Sequence, residues 1–217
     1  MNKSESELLE HTDNQSSNMQ TLRSYETGIQ EYISGTATRV SGSVKDWIDR
    51  ILAYLPSAHA KIIEIGSAFG RDASYIESFG FAVERTDATE SFVTFLQKQG
   101  HSAYAFNIIT DNFKRHYDLI FANAVFLHFI PLELEKVLQK IYASLSENGI
   151  LAFSVKKGTG EEWTNDKLGR PRYFCYWNEQ AITQLLQEQK FEIICTISED
   201  EKFLQIIAKP NNKFANA

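Results

Sequence analysis

The sequence predicts an α/β protein built on a doubly wound sheet, and three features of the 217-residue chain point to that fold class. Short apolar runs alternate with segments of helical periodicity from residue 61 onward. A glycine-containing turn follows the first run. Near the end, only the loop SEDEK separates the runs 191–197 and 203–208, which suits an antiparallel hairpin rather than a parallel crossover. We therefore expect a Rossmann-like sheet of seven strands, mostly parallel with an antiparallel terminal hairpin strand, and helices on both faces.

Two helices are predicted before the sheet. Tyr25 and Tyr32 lie on one face of a short helix, and a second helix carries a continuous apolar stripe that includes Trp47. The first twenty residues are polar and rich in Ser, Asn and Gln, so we expect a mobile tail there. The predicted organisation is a tail at 1–20, N-terminal helices at 21–60, the α/β domain at 61–210 and a C-terminal tail at 211–217.

Five strands are predicted within the α/β domain before the terminal hairpin, at 61–65, 81–86, 102–106, 117–122 and 150–155. The run YDLIFA is continuously apolar apart from one acid, as expected for a strand that helices cover on both faces. Pro131 suits the first turn of the next helix, and Asn178 caps the last one. Ligands of such sheets bind beyond the carboxyl ends of the strands.

The charge balance and cysteine content exclude several classes of protein. Lys and Arg number 22 against 28 Asp and Glu, a formal charge of −6, which disfavours a broad nucleic-acid surface because that affinity is built from basic side chains. Cys175 and Cys195 are too few for a disulfide framework and too isolated for a zinc site. No apolar run has the roughly 18 residues of a membrane span, and no signal-peptide core is evident. We expect a soluble, cytoplasmic protein with no metal and no membrane partner.

The turn after the first strand, EIGSAFGRD at 64–72, has the features of a ligand-binding loop. Gly66 and Gly70 allow the backbone to turn sharply and approach a ligand, and the next helix begins here with free N–H groups. The turn matches neither the dinucleotide fingerprint G-x-G-x-x-G nor a Walker A loop. Asp87 ends the second strand, where a carboxylate can accept both hydroxyls of a ribose. Together these features favour a ligand site at this edge of the sheet.

These motifs, in this order, resemble those of class I S-adenosylmethionine-dependent methyltransferases across residues 61–210. IIEIGSAFGRD resembles the first motif, E/D-x-G-x-G-x-G, with Ala68 in place of the middle glycine, and Asp87 matches the acidic residue that holds the ribose. Asn107 and Ile108 stand where the family usually has an Asp that contacts the adenine amine. YDLIFANAVFLHF resembles the fourth motif and ENGILAFSVKKGTGE the fifth strand. The GRD ending and the run RPRYFCY are similar to a subset of small, mostly bacterial members.

The resemblance implies S-adenosylmethionine as the cofactor. Tyr25 and Tyr32 resemble tyrosines of a lid over it, which makes 21–60 a lid. Glu64 either meets the cofactor amine or braces the glycine turn, and Asp72 either contacts the cofactor or stabilises the helix start. The expected cofactor-binding residues are Tyr25, Tyr32, Glu64, Gly66, Ser67, Ala68, Gly70, Arg71, Asp72, Asp87, Ala88, Asn107, Ile108, Asn123 and Ala124.

A basic and aromatic cluster around the fifth strand is the candidate acceptor site. It consists of Lys156, Trp163, Arg170, Arg172, Tyr173 and Tyr176. Arginine recognises carboxylates in a bidentate manner, so the cluster is interpreted either as a lid for an anionic or aromatic small molecule or as a solvated loop with aromatic packing. His128 is either a hydrogen-bonded structural residue or a catalytic one, acting as general base or substrate contact near the transferred methyl group.

The expected reaction is methyl transfer to a small-molecule acceptor by in-line displacement. Such a reaction depends on positioning and on exclusion of water, so no catalytic triad is expected. Three alternatives stay open: an S-adenosylmethionine-binding module or accessory subunit without catalysis, a tRNA or protein methyltransferase, and a nicotinamide-dependent oxidoreductase. The missing third glycine of the fingerprint and the terminal hairpin disfavour the oxidoreductase.

Overall fold

The computed structural model describes residues 16–197 and 202–211, in which helices cover both faces of one sheet. The strands are β1 (Ile62–Ile65), β2 (Val83–Asp87), β3 (Ala103–Ala105), β4 (Tyr117–Ala122), β5 (Leu145–Lys157), β6 (Glu161–Thr164), β7 (Arg172–Trp177), β8 (Phe191–Ile197) and β9 (Phe203–Pro210). The helices are α1 (Ser17–Thr27), α2 (Ile29–Ser34), α3 (Gly42–Leu52), α4 (Arg71–Glu77), α5 (Glu90–Lys98), α6 (Pro131–Tyr142), α7 (Glu179–Glu188) and a 3-10 turn at Phe126–His128.

The strand order confirms the predicted fold class. Strands β3, β2, β1, β4 and β5 are adjacent in that order and all parallel. β9 runs antiparallel beside β5, and β8 pairs antiparallel with β9, so the end of the chain forms the expected hairpin. β1 lies between β2 and β4, where the winding of the chain reverses. A crevice opens at the carboxyl ends of strands at such a point, and this crevice positions the site.

Each central strand is apolar on both faces because each face meets its own helix layer. Ile63 and Ile120 belong to the core under α6 and α7, whereas the neighbouring residues Ile62 and Leu119 belong to the core under α3 and α4. Trp47 on α3 is fully buried, with its ring centroid 5.1 Å from that of Phe121. The predicted apolar stripe of α3 is therefore the side that packs on the sheet.

The structure has two strands more than the seven predicted. β6 and β7 form an antiparallel hairpin in which Trp163 faces Tyr173, and Tyr176 continues the pairing onto the carboxyl end of β5 at Lys156. Frequent glycines and charges in this segment indicate a loop, and the run RYFCYW lacks the alternation of a half-buried strand. Its strand conformation comes from pairing with distant residues, which local sequence does not encode.

The N-terminal helices begin earlier than predicted. The Ser16 side chain accepts a hydrogen bond from the Met19 N–H at 3.2 Å and caps α1, which starts inside the segment 1–20 that was expected to be a tail. Gly28 divides the expected single helix into α1 and α2, so Tyr25 and Tyr32 lie on different helices. Asn18 is buried, which a tail residue is not. Residues 1–15, 198–201 and 212–217 lie outside the described residues, and with them most of both predicted tails.

Candidate active site

A pocket lies at the carboxyl ends of β1, β2 and β4, beneath α1 and α2, and is partly open to solvent. Eleven of the predicted site residues line it: Tyr25, Tyr32, Gly66, Ala68, Asp87, Ala88, Asn107, Ile108, Asn123, Ala124 and His128. The remaining predicted cofactor residues, Glu64, Ser67, Gly70, Arg71 and Asp72, lie in or directly beside the same turn and do not line the pocket.

The glycine turn has the backbone conformation that its residues predict. Gly66 has a φ of +72°, and a Cβ placed there would come within 2.5 Å of Val125 Cγ2. Gly70 has a φ of +83°, and a Cβ placed on Gly70 would lie 2.7 Å from Leu96 Cδ2. Ala68, which replaces the family's middle glycine, also adopts the left-handed region, with a φ of +47°. The left-handed conformation costs about 1–2 kcal/mol of backbone strain at Ala68.

Asp87 is the residue that ties the glycine turn to the next strand. Its carboxylate is 6% exposed and accepts the N–H of Ala68 at 2.9 Å and the N–H of Thr89 at 2.8 Å. Burial raises the pKa of Asp87 to about 6, although these two hydrogen bonds act in the opposite direction. Each carboxylate oxygen has a second lone pair, so Asp87 can hold the turn and still accept hydrogen bonds from a ligand.

A second buried carboxyl, Glu64, lies below the turn. It is 2% exposed, and its Oε2 has no hydrogen-bond partner among the described residues. Burial, and then the nearby Asp72, raise the pKa of Glu64 to about 8. Asp72 is itself satisfied: it accepts from Arg71 Nε at 2.6 Å and from Asn123 Nδ2 at 2.8 Å. An unpartnered carboxyl oxygen in such a place is expected to receive a cationic or donor group of a ligand.

Asn107 lines the pocket, but its amide is used within the protein. Its Oδ1 accepts from the Ile109 N–H at 3.0 Å, and its Nδ2 donates to Asn18 Oδ1 on α1 at 3.2 Å. The amide thus shapes the loop after β3 and holds α1 against it. Phe106 and Ile108 on either side of Asn107 contribute apolar surface to the pocket.

Helix α1 closes the pocket by hydrogen bonds to both sides. Toward β7, Thr21 Oγ1 accepts from the Tyr173 N–H at 3.0 Å, and the Ser24 hydroxyl donates to the Pro171 carbonyl at 2.6 Å. Toward α5, the Ser91 hydroxyl donates to the Glu26 carbonyl at 2.9 Å. These hydrogen bonds fix α1 over the pocket between β7 and α5.

Tyr25, His128 and Arg172 form one hydrogen-bonded chain. His128 Nδ1 lies 2.6 Å from the Tyr173 carbonyl oxygen, which can only accept, so Nδ1 carries the proton and Nε2 accepts the Tyr25 hydroxyl at 2.9 Å. The Tyr25 oxygen accepts in turn from Arg172 Nη1 at 3.1 Å. Burial, and then the charges of Arg172 and Lys156, lower the pKa of His128 to about 3. His128 is therefore neutral, with both ring nitrogens hydrogen-bonded.

The predicted acceptor cluster is divided by the structure. Arg172 and Lys156 lie over the same Phe174 ring, at 5.0 Å and 4.3 Å from its centroid. Arg170 instead pairs with Glu31 on α2 at 3.2 Å. Trp163 is 45% exposed and packs edge-on against Tyr173 on the hairpin, and the Tyr176 hydroxyl accepts from Lys156 Nζ at 3.3 Å.

The sequence did not single out nine residues that line the pocket. They are Asn18, Thr21, Leu22, Ile65, Thr89, Phe92, Phe106, Val125 and Phe129. The residues on α1 fell at or beside the predicted tail boundary, so no signal marked them. Phe106 and Val125 are adjacent to predicted site residues, and this adjacency was the signal that could have found them.

Within the described residues, two further kinds of feature are absent. No group of three or more His, Cys, Asp or Glu side chains is arranged to hold a metal ion. Of the helices described, none has both the length and the apolar character that crossing a membrane requires.

The fold and the pocket define a class: a doubly wound α/β protein with a pocket at its topological switch point, lined in part by α1 and α2. A family model described as a methyltransferase domain matches residues 36–196, most of the chain. The chain belongs to this family and is a class I S-adenosylmethionine-dependent methyltransferase. The unpartnered oxygen of Glu64, the close approach of the backbone at Gly66 and the buried Asp87 fit this cofactor.

Three individual proteins that are similar to this chain share 28% or less of their sequence with it. Carboxy-S-adenosyl-L-methionine synthase of Helicobacter hepaticus is 28% identical over 163 residues, which cover 71% of this chain and 68% of that protein. Among solved structures, the DhpI–SAM–HEP complex superposes with a TM-score of 0.71 at 12% identity, covering 92% of this chain and all of that one. The CcbJ methyltransferase of Streptomyces caelestis has a TM-score of 0.66 at 14% identity, with coverages of 85% and 98%. These two structures support the fold alone.

Proposed function

We propose that this enzyme transfers the methyl group of S-adenosylmethionine to a small-molecule acceptor bound beneath α1, between the cofactor and the Tyr25–His128–Arg172 chain. The observation that carries the proposal is the pocket itself. The segments at the ends of β1 and β2 and after β3 line one side of it as a nucleoside cradle. Residues of α1 and the 3-10 turn line the other side as a polar wall, behind which Arg172 of β7 donates to the Tyr25 hydroxyl. The enclosed shape favours a small molecule over a nucleic acid or a folded protein.

Each residue of the cradle is assigned to a different part of the cofactor. Asp87 accepts the ribose hydroxyls while it keeps its two backbone hydrogen bonds. Glu64 Oε2 meets the amino group of the methionine part, directly or through a water molecule. Phe106 and Ile108 flank the adenine, and the lid tyrosines Tyr25 and Tyr32, whose ring centroids are 5.5 Å apart, cover the ligand from above.

When bound, the cofactor supplies a methyl group that its sulfonium already activates. The protein then has to exclude water and hold the acceptor in line, which is worth up to about 7–11 kcal/mol of the barrier. α1 provides the exclusion through its hydrogen bonds to β7 and α5. The polar wall provides the orientation.

His128 is assigned to orientation rather than to proton abstraction. A base whose pKa is about 3 takes a proton from even a phenolic hydroxyl, with a pKa of about 10, only against a difference of about seven pKa units, or roughly 10 kcal/mol, and an alkyl hydroxyl is less acidic still. We infer that His128 Nε2 accepts a hydrogen bond from the acceptor or from Tyr25, and that the attacking atom brings its own lone pair or negative charge.

Calorimetry with S-adenosylmethionine, S-adenosylhomocysteine and NAD tests the cofactor assignment. We expect the first two to bind in the micromolar range typical of enzyme ligands and NAD not to bind. Mass spectrometry of reactions with a panel of small acceptors then measures formation of S-adenosylhomocysteine. Tight cofactor binding without turnover across a chemically broad panel would favour a non-catalytic module instead.

A second candidate function follows from the Helicobacter hepaticus relative, whose name denotes synthesis of a carboxylated S-adenosylmethionine. The buried Arg172, which has no carboxylate partner among the described residues, is suited to a new carboxylate on the cofactor. In that reaction the cofactor is a substrate that gains a carboxyl group, which a second substrate has to supply as the carboxyl donor. The same mass spectra distinguish the two, because one reaction yields S-adenosylhomocysteine and the other a carboxylated cofactor.

A further inference from the structure

Arg172 is a buried cation without a counter-ion. Its side chain belongs to a residue only 6% exposed, and its polar contacts are the Tyr25 hydroxyl at 3.1 Å from Nη1 and the Asp166 carbonyl at 2.6 Å from Nη2. Nε has no hydrogen-bond partner, and no carboxylate in the described part of the chain forms an ion pair with the guanidinium. An unpaired buried charge costs several kcal/mol, so its retention calls for a partner that arrives from outside.

Lys156 adds a second positive charge beside it. Its ammonium lies 4.3 Å from the centroid of the Phe174 ring and donates to the Tyr176 hydroxyl at 3.3 Å. Its one connection to an acid runs through Tyr176, whose hydroxyl donates to Glu162 on β6. Arg172 and Lys156 thus form a positive pair on a protein whose formal charge is −6.

The pair lies behind the wall of the pocket that Tyr25 and His128 form; neither Arg172 nor Lys156 lines the pocket itself, and Arg172 reaches it through its hydrogen bond to Tyr25. Arg172 and Phe174 are on β7, which continues the sheet from the carboxyl end of β5, whereas Gly66 and Asp87 follow β1 and end β2 on the other side of β4. Tyr25 and His128 stand between the two groups, since the Tyr25 hydroxyl contacts both Arg172 and His128. A group bound by Arg172 and Lys156 therefore lies beyond the cofactor cradle.

We propose that the methyl acceptor carries an anionic group, a carboxylate or a phosphate, and that Arg172 and Lys156 bind it beside Phe174. The proposal rests on the proposed function, because it assigns the charge of the molecule that the methyltransferase site receives. Arg172 Nε supplies the free donor, and Nη1 becomes a second donor where the Tyr25 oxygen that now accepts from it gives way. The anionic group neutralises the two positive charges when it binds. The pair then holds the acceptor against the wall that contains His128.

The test uses the full chain saturated with S-adenosylhomocysteine and titrated by calorimetry at constant ionic strength. The probes are phenylacetate, phenylphosphonate and the neutral phenylacetamide. We expect both anions to bind saturably and the amide at least tenfold more weakly. Arg172→Gln is expected to weaken anion binding about tenfold or more, as for loss of a charged hydrogen bond, and to leave S-adenosylhomocysteine affinity unchanged.

Two further variants control the result. Arg170→Gln removes an equally basic side chain of the same hairpin, but one that is paired with Glu31, so anion affinity should stay within twofold of wild type. Lys156→Gln, at a partly exposed position, should weaken the anions severalfold and serves as the test if Arg172→Gln does not fold.

The outcomes distinguish failure of the anion site from failure of the proposed methyltransferase function. If S-adenosylhomocysteine binds but neither anion does, or if Arg170→Gln weakens the anions as much as Arg172→Gln, the anion site is wrong and the methyltransferase function stands. If Arg172→Gln weakens S-adenosylhomocysteine instead of the anions, Arg172 serves the carboxylate of the cofactor and the proposal fails. If S-adenosylhomocysteine itself does not bind to wild type, the proposed function fails.

Discussion

Replacement of Asp87 by Asn separates the ligand-binding role of this carboxylate from its structural role. Burial raises its pKa from 3.8 to about 6, and each pH unit of such a rise corresponds to about 1.4 kcal/mol. Because the folded-state pKa lies above the unfolded one, the ionised carboxylate lowers stability progressively as pH rises from 3.8 to 6, by about 3 kcal/mol at neutral pH. Asn removes that cost.

The same substitution also has a structural penalty. Asn offers one acceptor oxygen, so either the Ala68 or the Thr89 N–H, at 2.9 and 2.8 Å in the wild type, loses its acceptor. Such a loss costs about 1–3 kcal/mol. The two effects nearly cancel, and we expect the free energy of unfolding to change by less than about 2 kcal/mol at neutral pH. Urea denaturation measures this quantity.

Cofactor affinity is expected to respond differently. The ribose hydroxyls lose a charged acceptor worth about 1.5–3 kcal/mol, so the Kd of S-adenosylhomocysteine should rise about tenfold or more in calorimetry. Wild-type affinity should also weaken as pH falls through 6, since protonation removes the same acceptor, and Asp87→Asn should lack that component. Asp118→Asn, which alters a carboxylate that accepts the Lys61 N–H at 2.8 Å, is the matched control. Unchanged cofactor affinity in Asp87→Asn would refute the ribose assignment.

Three further predictions concern other residues in and around the pocket. Glu64→Gln should raise the free energy of unfolding at pH 8 more than at pH 6, because the raised pKa of Glu64 makes the wild type lose stability over that interval. The same substitution should weaken the binding of S-adenosylhomocysteine. Equal gains in stability at both pH values would contradict the prediction. Gly66→Ala should destabilise the protein by about 2 kcal/mol or more in urea denaturation, because of its φ of +72° and the clash with Val125, whereas Ala68→Gly should change stability by less than about 1 kcal/mol. The turnover rate should show no step near pH 6.5 that His128→Gln removes, since the pKa of His128 is about 3.

Local sequence was sufficient to predict the cradle half of the molecule. The strands β1 to β5, the glycine turn and the position of Asp87 all follow from patterns within about ten residues, and the structure places them at one edge of the sheet. Even the departure at Ala68 leaves the turn intact, since its left-handed φ of +47° costs too little to redirect the chain.

The other half depends on contacts between distant residues. Tyr25 is 103 positions from His128 and 147 from Arg172, and the hydrogen bonds among them arise only when α1 crosses the β6–β7 hairpin. The hairpin itself is formed by pairing of residues 161–164 with 172–175 across the loop at 165–171. No periodicity in a single sequence encodes these pairings, so the sequence identified Arg172 and Arg170 as equals, and the structure separates them by their partners.

The two sides of the pocket carry side chains of opposite charge, acidic on the cofactor side and basic on the acceptor side. A buried acid, Asp87, whose pKa of about 6 leaves it ionised at neutral pH, lies on the side assigned to a cofactor that is cationic at its sulfur and its amine; Glu64 on the same side, with a pKa of about 8, is neutral until the pH rises further or a cation reaches it. A buried cation, Arg172, lies on the side assigned to the acceptor. Charges held at such cost, in a site that α1 closes to water, attract oppositely charged groups from opposite sides. An anionic acceptor and a cationic cofactor are thereby drawn toward each other across His128, which stays neutral and so opposes neither charge.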